Sequence, residues 1–223
     1  MELHDVVVHV RRRFEAGSAA DVRWSNPHEN RDAAPEEYSR VSDPSRYRLV
    51  GARATAWIET LTELQLARAE KVTAPSWVHG PADARAVLLT PEGDAALSIL
   101  VVLGAMEGIE DAVIAIGVGT PPVSIGMQPD CGCDACDSGS DDLLTSIDEM
   151  FIAVMDGNLI YAEDKDWTLT VGVNGWSAQG SEDFAELVAR AQSGASVGRR
   201  MITGAAWFPR ECPQAQAAQP PIG

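Results

Sequence analysis

Residues 84–104 read "ARAVLLTPEGDAALSILVVLG", and their pattern sets the expected architecture. Two apolar runs flank a Pro-Glu-Gly-Asp sequence, which is typical of a tight turn, so the stretch predicts a β-hairpin. The second run, Leu97 to Leu103, is apolar on both faces. A strand of this kind is covered on both faces, which favours a central place in a sheet.

The flanking sequence extends this pattern. Residues 111–129, "DAVIAIGVGTPPVSIGMQP", predict a second pair of strands interrupted at Thr120-Pro121-Pro122. Residues 159–180, "LIYAEDKDWTLTVGVNGWSAQG", predict a further hairpin with a polar turn at 163–166. The strands within residues 84–104 and 111–129 together predict an antiparallel meander.

The strongest helix signal follows "SDPSRY", where Asp43 is the expected N-cap and Pro44 the first helical residue. Apolar residues then recur at helical spacing as far as about Ala69. Two of the aromatic residues in this stretch, Tyr47 and Trp57, are predicted to lie in the core.

Three further helices are predicted. Residues 3–16 have helical apolar spacing, although their triple valine is also compatible with a strand. Residues 140–156 are expected to begin with Ser140 as N-cap and to end at Gly157. Residues 181–194 carry a Ser181/Asp183 capping signal.

These elements predict an α+β fold, an antiparallel sheet of meander and hairpins with helices packed on it. We expect a single domain over residues 1–212, with a long irregular segment at 17–42. Residues 213–223 are rich in Pro, Gln and Ala, and a disordered tail is predicted there.

The charge is strongly negative: 33 acidic residues against 17 basic ones give a formal net charge of −16. This balance argues against nucleic acid or an anionic membrane as a partner. Residues 1–53 are neutral, whereas residues 130–166 carry eleven acids and one base, Lys165. Such a segment is typical of a solvated surface, and it would equally attract a basic protein partner.

No run of 18 apolar residues occurs, so no transmembrane helix is expected. The start, "MELHDVVVHVRRRFEAG", lacks the order of charges and apolar residues found in a signal peptide. Four cysteines, three of them clustered, are unlike a secreted disulfide scaffold. The sequence therefore predicts a cytoplasmic protein.

Residues 129–142, "PDCGCDACDSGSDD", contain the candidate site. Closely spaced thiols in a reducing compartment favour zinc, with Cys131, Cys133 and Cys136 as ligands. A closed zinc site needs a fourth ligand. The sequence leaves the choice open among several residues: Cys212, His4, His9, His28, His79, Asp130 and Asp134.

Other interpretations of this motif remain. Cys133 and Cys136 have the spacing of a redox pair, and the cysteines could also be unliganded in an acidic turn. An EF-hand starting at Asp134 is excluded because Thr145 falls where a bidentate glutamate belongs.

Common catalytic motifs are absent: the sequence has no G-x-S-x-G, H-E-x-x-H, P-loop or G-x-G-x-x-G pattern. We therefore expect a non-enzymatic binding or regulatory module. The alternative is a zinc-dependent hydrolase or a thiol oxidoreductase centred on the same cysteines, with a motif aspartate as base.

Two stretches together carry a resemblance: "YSRVSDPSRYRLVGARATAWIETL" at residues 38–61 and "CGCDACDSGSDDLL" at 131–144. They resemble an uncharacterised family, a domain of unknown function, from high-GC Gram-positive bacteria. The matching positions are Tyr38 to Val41, Pro44 to Tyr47, Arg53 with Trp57, and Cys131 to Gly139. The resemblance extends over about residues 38–210. It implies a bacterial protein in which both stretches belong to one domain, and it implies no activity.

One contact follows from the charges. Arg40, Arg46 and Arg53 lie in the neutral part of the chain, upstream of the acidic motif. If the long helix packs beside the motif, we expect at least one of these arginines to pair with a motif aspartate.

Overall fold

The computed structural model describes residues 1–75, 84–172 and 174–208. Within these ranges the chain forms four α-helices and nine β-strands, and the predicted α+β class is confirmed. The helices are α1 (Leu3–Glu15), α2 (Arg48–Glu63), α3 (Ser140–Met155) and α4 (Phe184–Gln192). The strands are β1 (Ala67–Val72), β2 (Arg85–Pro91), β3 (Ile99–Met106), β4 (Ile109–Val118), β5 (Val123–Gln128), β6 (Ile160–Glu163), β7 (Thr168–Gly172), β8 (Gly175–Gln179) and β9 (Arg200–Thr203).

The strands form two antiparallel sheets. The larger is a meander in the order β1-β2-β3-β4-β5, so the apolar strand β3 is central, as its composition predicts. The hairpin at residues 84–104 is present, with Val87 opposite Val101 in the register. The smaller sheet has the order β8-β7-β6-β9 and contains the predicted downstream hairpin.

One face of the large sheet and helices α1, α2 and α3 share the main core. Trp57 of α2 stacks on Phe151 of α3 with ring centroids 4.7 Å apart, and both side chains are buried. Tyr47 is also buried, so both aromatic residues predicted for the core are in it. One side of the small sheet packs on α4, where Leu169 and Val171 of β7 contact Val188.

Helix α2 differs from its prediction at both ends. A short 3-10 helix, Pro44–Tyr47, precedes the α-helix. The Asp43 carboxylate does not cap a helix amide and instead accepts a hydrogen bond from the Ser45 hydroxyl. The helix ends at Glu63, since Gln65 turns the chain with φ of 57°. Pairing with β2 then draws Ala67–Val72 into strand β1, and tertiary pairing outweighs helix propensity there.

The other helices agree with the sequence apart from one cap. Residues 3–15 are helical, and Asp183 caps α4 by accepting from the Glu186 amide. At the start of α3 the N-cap is Gly139. The Ser140 hydroxyl, predicted as the cap, instead donates to the carbonyl of Trp24 at 3.1 Å.

The segment 17–42 is irregular apart from a 3-10 turn at Pro35–Glu37, as expected. The predicted disordered tail at 213–223 lies outside the described residues, and the extent of a single domain over 1–212 stays a prediction. Among the described residues, no helix combines the length and the apolar character required to cross a membrane.

A buried ion pair joins α2 to α3. The Arg53 guanidinium donates to both carboxylate oxygens of Asp148 at 2.8 and 2.5 Å, and the Trp57 indole donates to one of them at 2.8 Å. Both charged side chains are 4% exposed. Buried charges are costly unless each is compensated by a partner, so Arg53 and Asp148 must stay in contact. This contact therefore fixes how α2 packs on α3.

Removing one partner tests this ion pair. Arg53→Leu leaves the buried Asp148 carboxylate with only the more distant Arg11, whose Nε lies 3.9 Å away, and we expect a loss of about 3 kcal/mol in the free energy of unfolding. Arg85→Gln, which breaks the exposed pair with Asp111, is the control and should cost less than about 1 kcal/mol. Urea unfolding measures both, and equal losses would contradict a special role for the buried pair.

Candidate metal centre

The three clustered cysteines lie in the loop between β5 and α3 and point toward one another. Their Sγ atoms all lie within 4.8 Å of one another, and those of Cys131 and Cys133 are 3.3 Å apart. Gly132 makes the sharp turn between them with φ of 67°, and the short 3-10 helix Asp134–Cys136 brings the third sulfur round. The predicted ligands are therefore brought together, close enough to hold a metal ion.

The spacing of the sulfurs fits a tetrahedral thiolate site. With Zn–S bonds of about 2.3 Å, ligand sulfurs are about 3.8 Å apart. One separation is 3.3 Å and none exceeds 4.8 Å, limits that include that value. Cys133 is buried, whereas Cys131 and Cys136 are exposed, so the cluster borders solvent.

The thiols share their protons unequally. A hydrogen bond with Cys131 lowers the pKa of Cys133 to about 7, with help from the backbone amides of Cys136 and Ser39. Hydrogen bonds to Cys131 and Cys133 raise the pKa of Cys136 to about 12. Adjacent thiolates repel, and only a bound cation would stabilise all three at neutral pH.

Asp134, within the motif, is held by the loop that precedes α2. Its carboxylate accepts from the Ser42 hydroxyl at 2.6 Å, the Ser42 amide at 2.9 Å and Arg40 Nε at 2.8 Å. Hydrogen bonds from Ser42, followed by Arg40, lower the pKa of Asp134 to about 2. Its own amide donates to the Arg40 carbonyl at 2.7 Å, so backbone and side chain both fix the cysteine loop.

Asp137 is held from three sides. It accepts from the Trp24 indole at 2.8 Å and from the Gly139 amide at 2.9 Å, and Arg46 lies 2.9 Å away as its ion partner. The side chain is 4% exposed. This carboxylate therefore ties the end of the cysteine loop to the irregular segment 17–42.

Arg46 joins these contacts into one cluster. Its guanidinium lies 4.9 Å from the ring centroids of both Trp24 and Tyr47, in cation–π geometry. The Tyr47 hydroxyl donates to the carbonyl of Gly132, between the first two cysteines, at 3.1 Å. The contact expected from the charges is confirmed for Arg40 and Arg46, whereas Arg53 pairs with Asp148 instead.

The structure places the described candidates for a fourth ligand outside the group of three sulfurs. Among the described His, Cys, Asp and Glu residues, only the three cysteines form a group tight enough for an ion. Asp134 is occupied by Arg40 and Ser42, and His28 lies with Nδ1 3.3 Å from the Asp137 carbonyl oxygen. Asp130, His4 and His9 are not in the group, and Cys212 and His79 lie outside the described residues.

Segment 17–42 contributes more than its sequence indicates. Polar, irregular sequence predicts a surface loop, yet Trp24 exchanges hydrogen bonds with Ser140 through both its amide and its carbonyl. The nearest sequence signal was the tryptophan itself, since a large aromatic residue in a polar segment is often anchored.

The fold and the cluster together define an α+β protein with a three-thiol centre held by arginine–aspartate pairs. The chain belongs to DUF6226, a family of unknown function, whose model matches residues 10–211. The predicted membership of a domain of unknown function is thereby confirmed at the level of the family. No curated protein and no solved structure matches the chain.

The unequal thiol pKa values predict unequal alkylation of metal-stripped protein. The rate at Cys133 should rise through a midpoint near pH 7, whereas Cys136 should stay slow until far higher pH because it keeps its proton. Iodoacetamide labelling across pH, read by peptide mass spectrometry, measures each site. Since Cys136 is exposed, a midpoint at its ordinary value would contradict the shared-proton arrangement.

Proposed function

We propose that this protein is a cytoplasmic bacterial binding or regulatory protein in which Cys131, Cys133 and Cys136 hold one zinc ion. The observation that carries the proposal is the convergence of three sulfurs within 4.8 Å. Thiolates are soft ligands that favour zinc over calcium or magnesium. The lowered pKa of Cys133, to about 7, makes proton release on binding easier at that position.

A bound ion would act as a crosslink in the loop between β5 and α3. That loop already contacts segment 17–42 through Asp137 and the chain before α2 through Asp134. Metal binding by preorganised ligands adds its free energy to folding. The ion would therefore stabilise the junction of three segments, which is the role of a structural or regulatory zinc.

The surroundings favour a binding role over a hydrolase. A catalytic zinc site needs a nearby group that is free to accept a proton from water. Two of the motif aspartates, Asp134 and Asp137, are engaged by arginines and hydrogen-bond donors, and Asp130 does not lie in the tight group with the three sulfurs. The low pKa of Asp134, about 2, makes it a poor base.

Metal analysis of untagged protein, purified without chelator, tests the proposal. We expect about one zinc per chain, with the three thiols protected until the ion is removed. Each of Cys131→Ser, Cys133→Ser and Cys136→Ser should lower zinc affinity at least tenfold, roughly, because each removes a ligand. Ser138→Ala in the same loop is the control, and metal-free protein with freely reactive thiols would refute a zinc site.

The fourth ligand needs a separate variant. If Cys212 closes the site, Cys212→Ser should lower the zinc affinity as much as the other cysteine substitutions do. In cobalt-substituted protein, the thiolate-to-cobalt charge-transfer absorbance should fall by the share of one thiolate. If a solvent molecule occupies the fourth position, Cys212→Ser should leave both unchanged.

The second candidate is a thiol oxidoreductase. The sequence spacing indicates Cys133 and Cys136 as its redox pair, whereas one observation favours Cys131 with Cys133. The Cys131 and Cys133 sulfurs are 3.3 Å apart and the Cys133 pKa is about 7, near that of catalytic thiols. Equilibration of zinc-free protein in glutathione buffers tests it. A reversible disulfide with a potential of about −270 to −120 mV would support this function. Thiols that stay reduced throughout that range would exclude it.

A further inference from the structure

Strand β8 is the outer strand of the small sheet. Its five residues pair with β7 without a register shift, from Gly172 opposite Gly175 to Thr168 opposite Gln179. No other strand of the described chain pairs with its second edge. All five residues are exposed, so a row of backbone N–H and C=O groups on that edge faces solvent.

Edge strands usually carry features that prevent further pairing: charges, prolines, bulges or very short length. Strand β1 has Arg68, Glu70 and Lys71, and β9 has only four residues. The pairing of β5 with β4 contains a register shift between Ile116 and Gly117. Strand β8, with the sequence GWSAQ, has none of these. It also presents Trp176, which is 50% exposed.

A groove of about 710 Å³ lies beside this edge. Thr170 and Ser177, opposite each other in the register, form one wall, and Ile125 of β5 lies on the other side. Met150 and Ala153 of α3 contribute apolar surface between them. The groove thus continues from the unpaired strand and offers apolar space next to free backbone groups.

The charge that lines the groove is negative. Glu149 is the charged residue that lines the groove, and its Oε1 accepts a hydrogen bond from the side-chain Nδ2 of Asn174 at 2.7 Å. Over residues 131–189 the sequence has thirteen acids and a single base, Lys165. A second copy of the chain would bring two such acidic surfaces together, whereas a basic segment would neutralise one.

We propose that β8 is a strand-addition site for an extended segment of a basic protein. The added segment pairs with the free edge of β8, and main-chain hydrogen bonds supply much of the affinity. Its alternate side chains face the groove, where an apolar residue packs near Met150 and a lysine or arginine lies by Glu149. This inference does not depend on zinc binding.

A peptide that repeats the pattern lysine–threonine–valine–threonine, acetylated and amidated, is the probe, because alternate positions of a strand share a face and lysine and valine then both face the groove. The same peptide with glutamate in place of lysine is its control. We expect the lysine peptide to bind full-length protein, to shift the backbone amide resonances of residues 175–179 and to change Trp176 fluorescence. Binding should weaken with salt, and the glutamate peptide should not bind.

Variants separate strand addition from general attraction between charges. Glu149→Gln should weaken binding about two- to fivefold, the effect of one exposed ion pair, whereas Asp141→Asn, on the same helix but outside the groove lining, should not. Ser177→Pro and Ala178→Pro each remove one backbone N–H of β8, and the N–H groups of neighbouring residues point to opposite edges of the strand. Loss of the N–H that faces β7 should lower the thermal transition, so the variant with an unchanged transition has lost the N–H on the free edge. That variant should bind at least tenfold more weakly.

Three results would overturn the proposal. These are no binding of the lysine peptide, equal binding by the folded proline variant, and resonance shifts that avoid residues 175–179. Sedimentation without peptide gives the remaining test: a dimer abolished by the same proline would assign the edge to a second copy of the chain.

Discussion

The buried pair between Arg53 and Asp148 sets the relation of α2 to α3, and the cysteine centre depends on that relation. Both side chains are 4% exposed, so their hydrogen bonds cannot be exchanged for water without separating the helices. The residues just before α2 supply Arg46 and Tyr47, and the residues just before α3 supply the cysteine loop. A shift of one helix against the other would therefore pull the centre apart.

The acidic residues of the cysteine motif act as anchors for the loop. Thiolates surrounded by free carboxylates would be disfavoured, because like charges repel. Arg40 and Arg46 neutralise Asp134 and Asp137, and the sulfurs are left as the ligand atoms that converge. Elsewhere the same negative composition has a different consequence, since Glu149 lines a groove beside an unpaired strand. The same negative charge is therefore neutralised by arginines at the cysteine motif and lines a groove at Glu149, and only the fold distinguishes these two settings.

The sequence predicted most elements for local reasons and failed where distant contacts compete. Apolar runs and turn residues encode hairpins locally, and the hairpin at 84–104 is confirmed. The sequence pattern carries α2 too far, because the pairing of β1 with β2 involves residues about twenty positions away. Local sequence favours Ser140 as a helix cap, but Ser140 bonds to Trp24, 116 residues earlier in the chain.

By itself, the sequence determined the α+β class, the central strand β3 and the three cysteines as candidate ligands, because periodicity and short spacing are local properties. It also placed three arginines upstream of an acidic motif. Only the tertiary structure decided that Arg40 and Arg46 meet the motif while Arg53 turns to Asp148. It also joined segment 17–42 to the cysteine loop and left β8 without a neighbour among the described strands. These outcomes follow from the packing of α2 on α3 and from strand order, which are properties of the whole chain that no local pattern specifies.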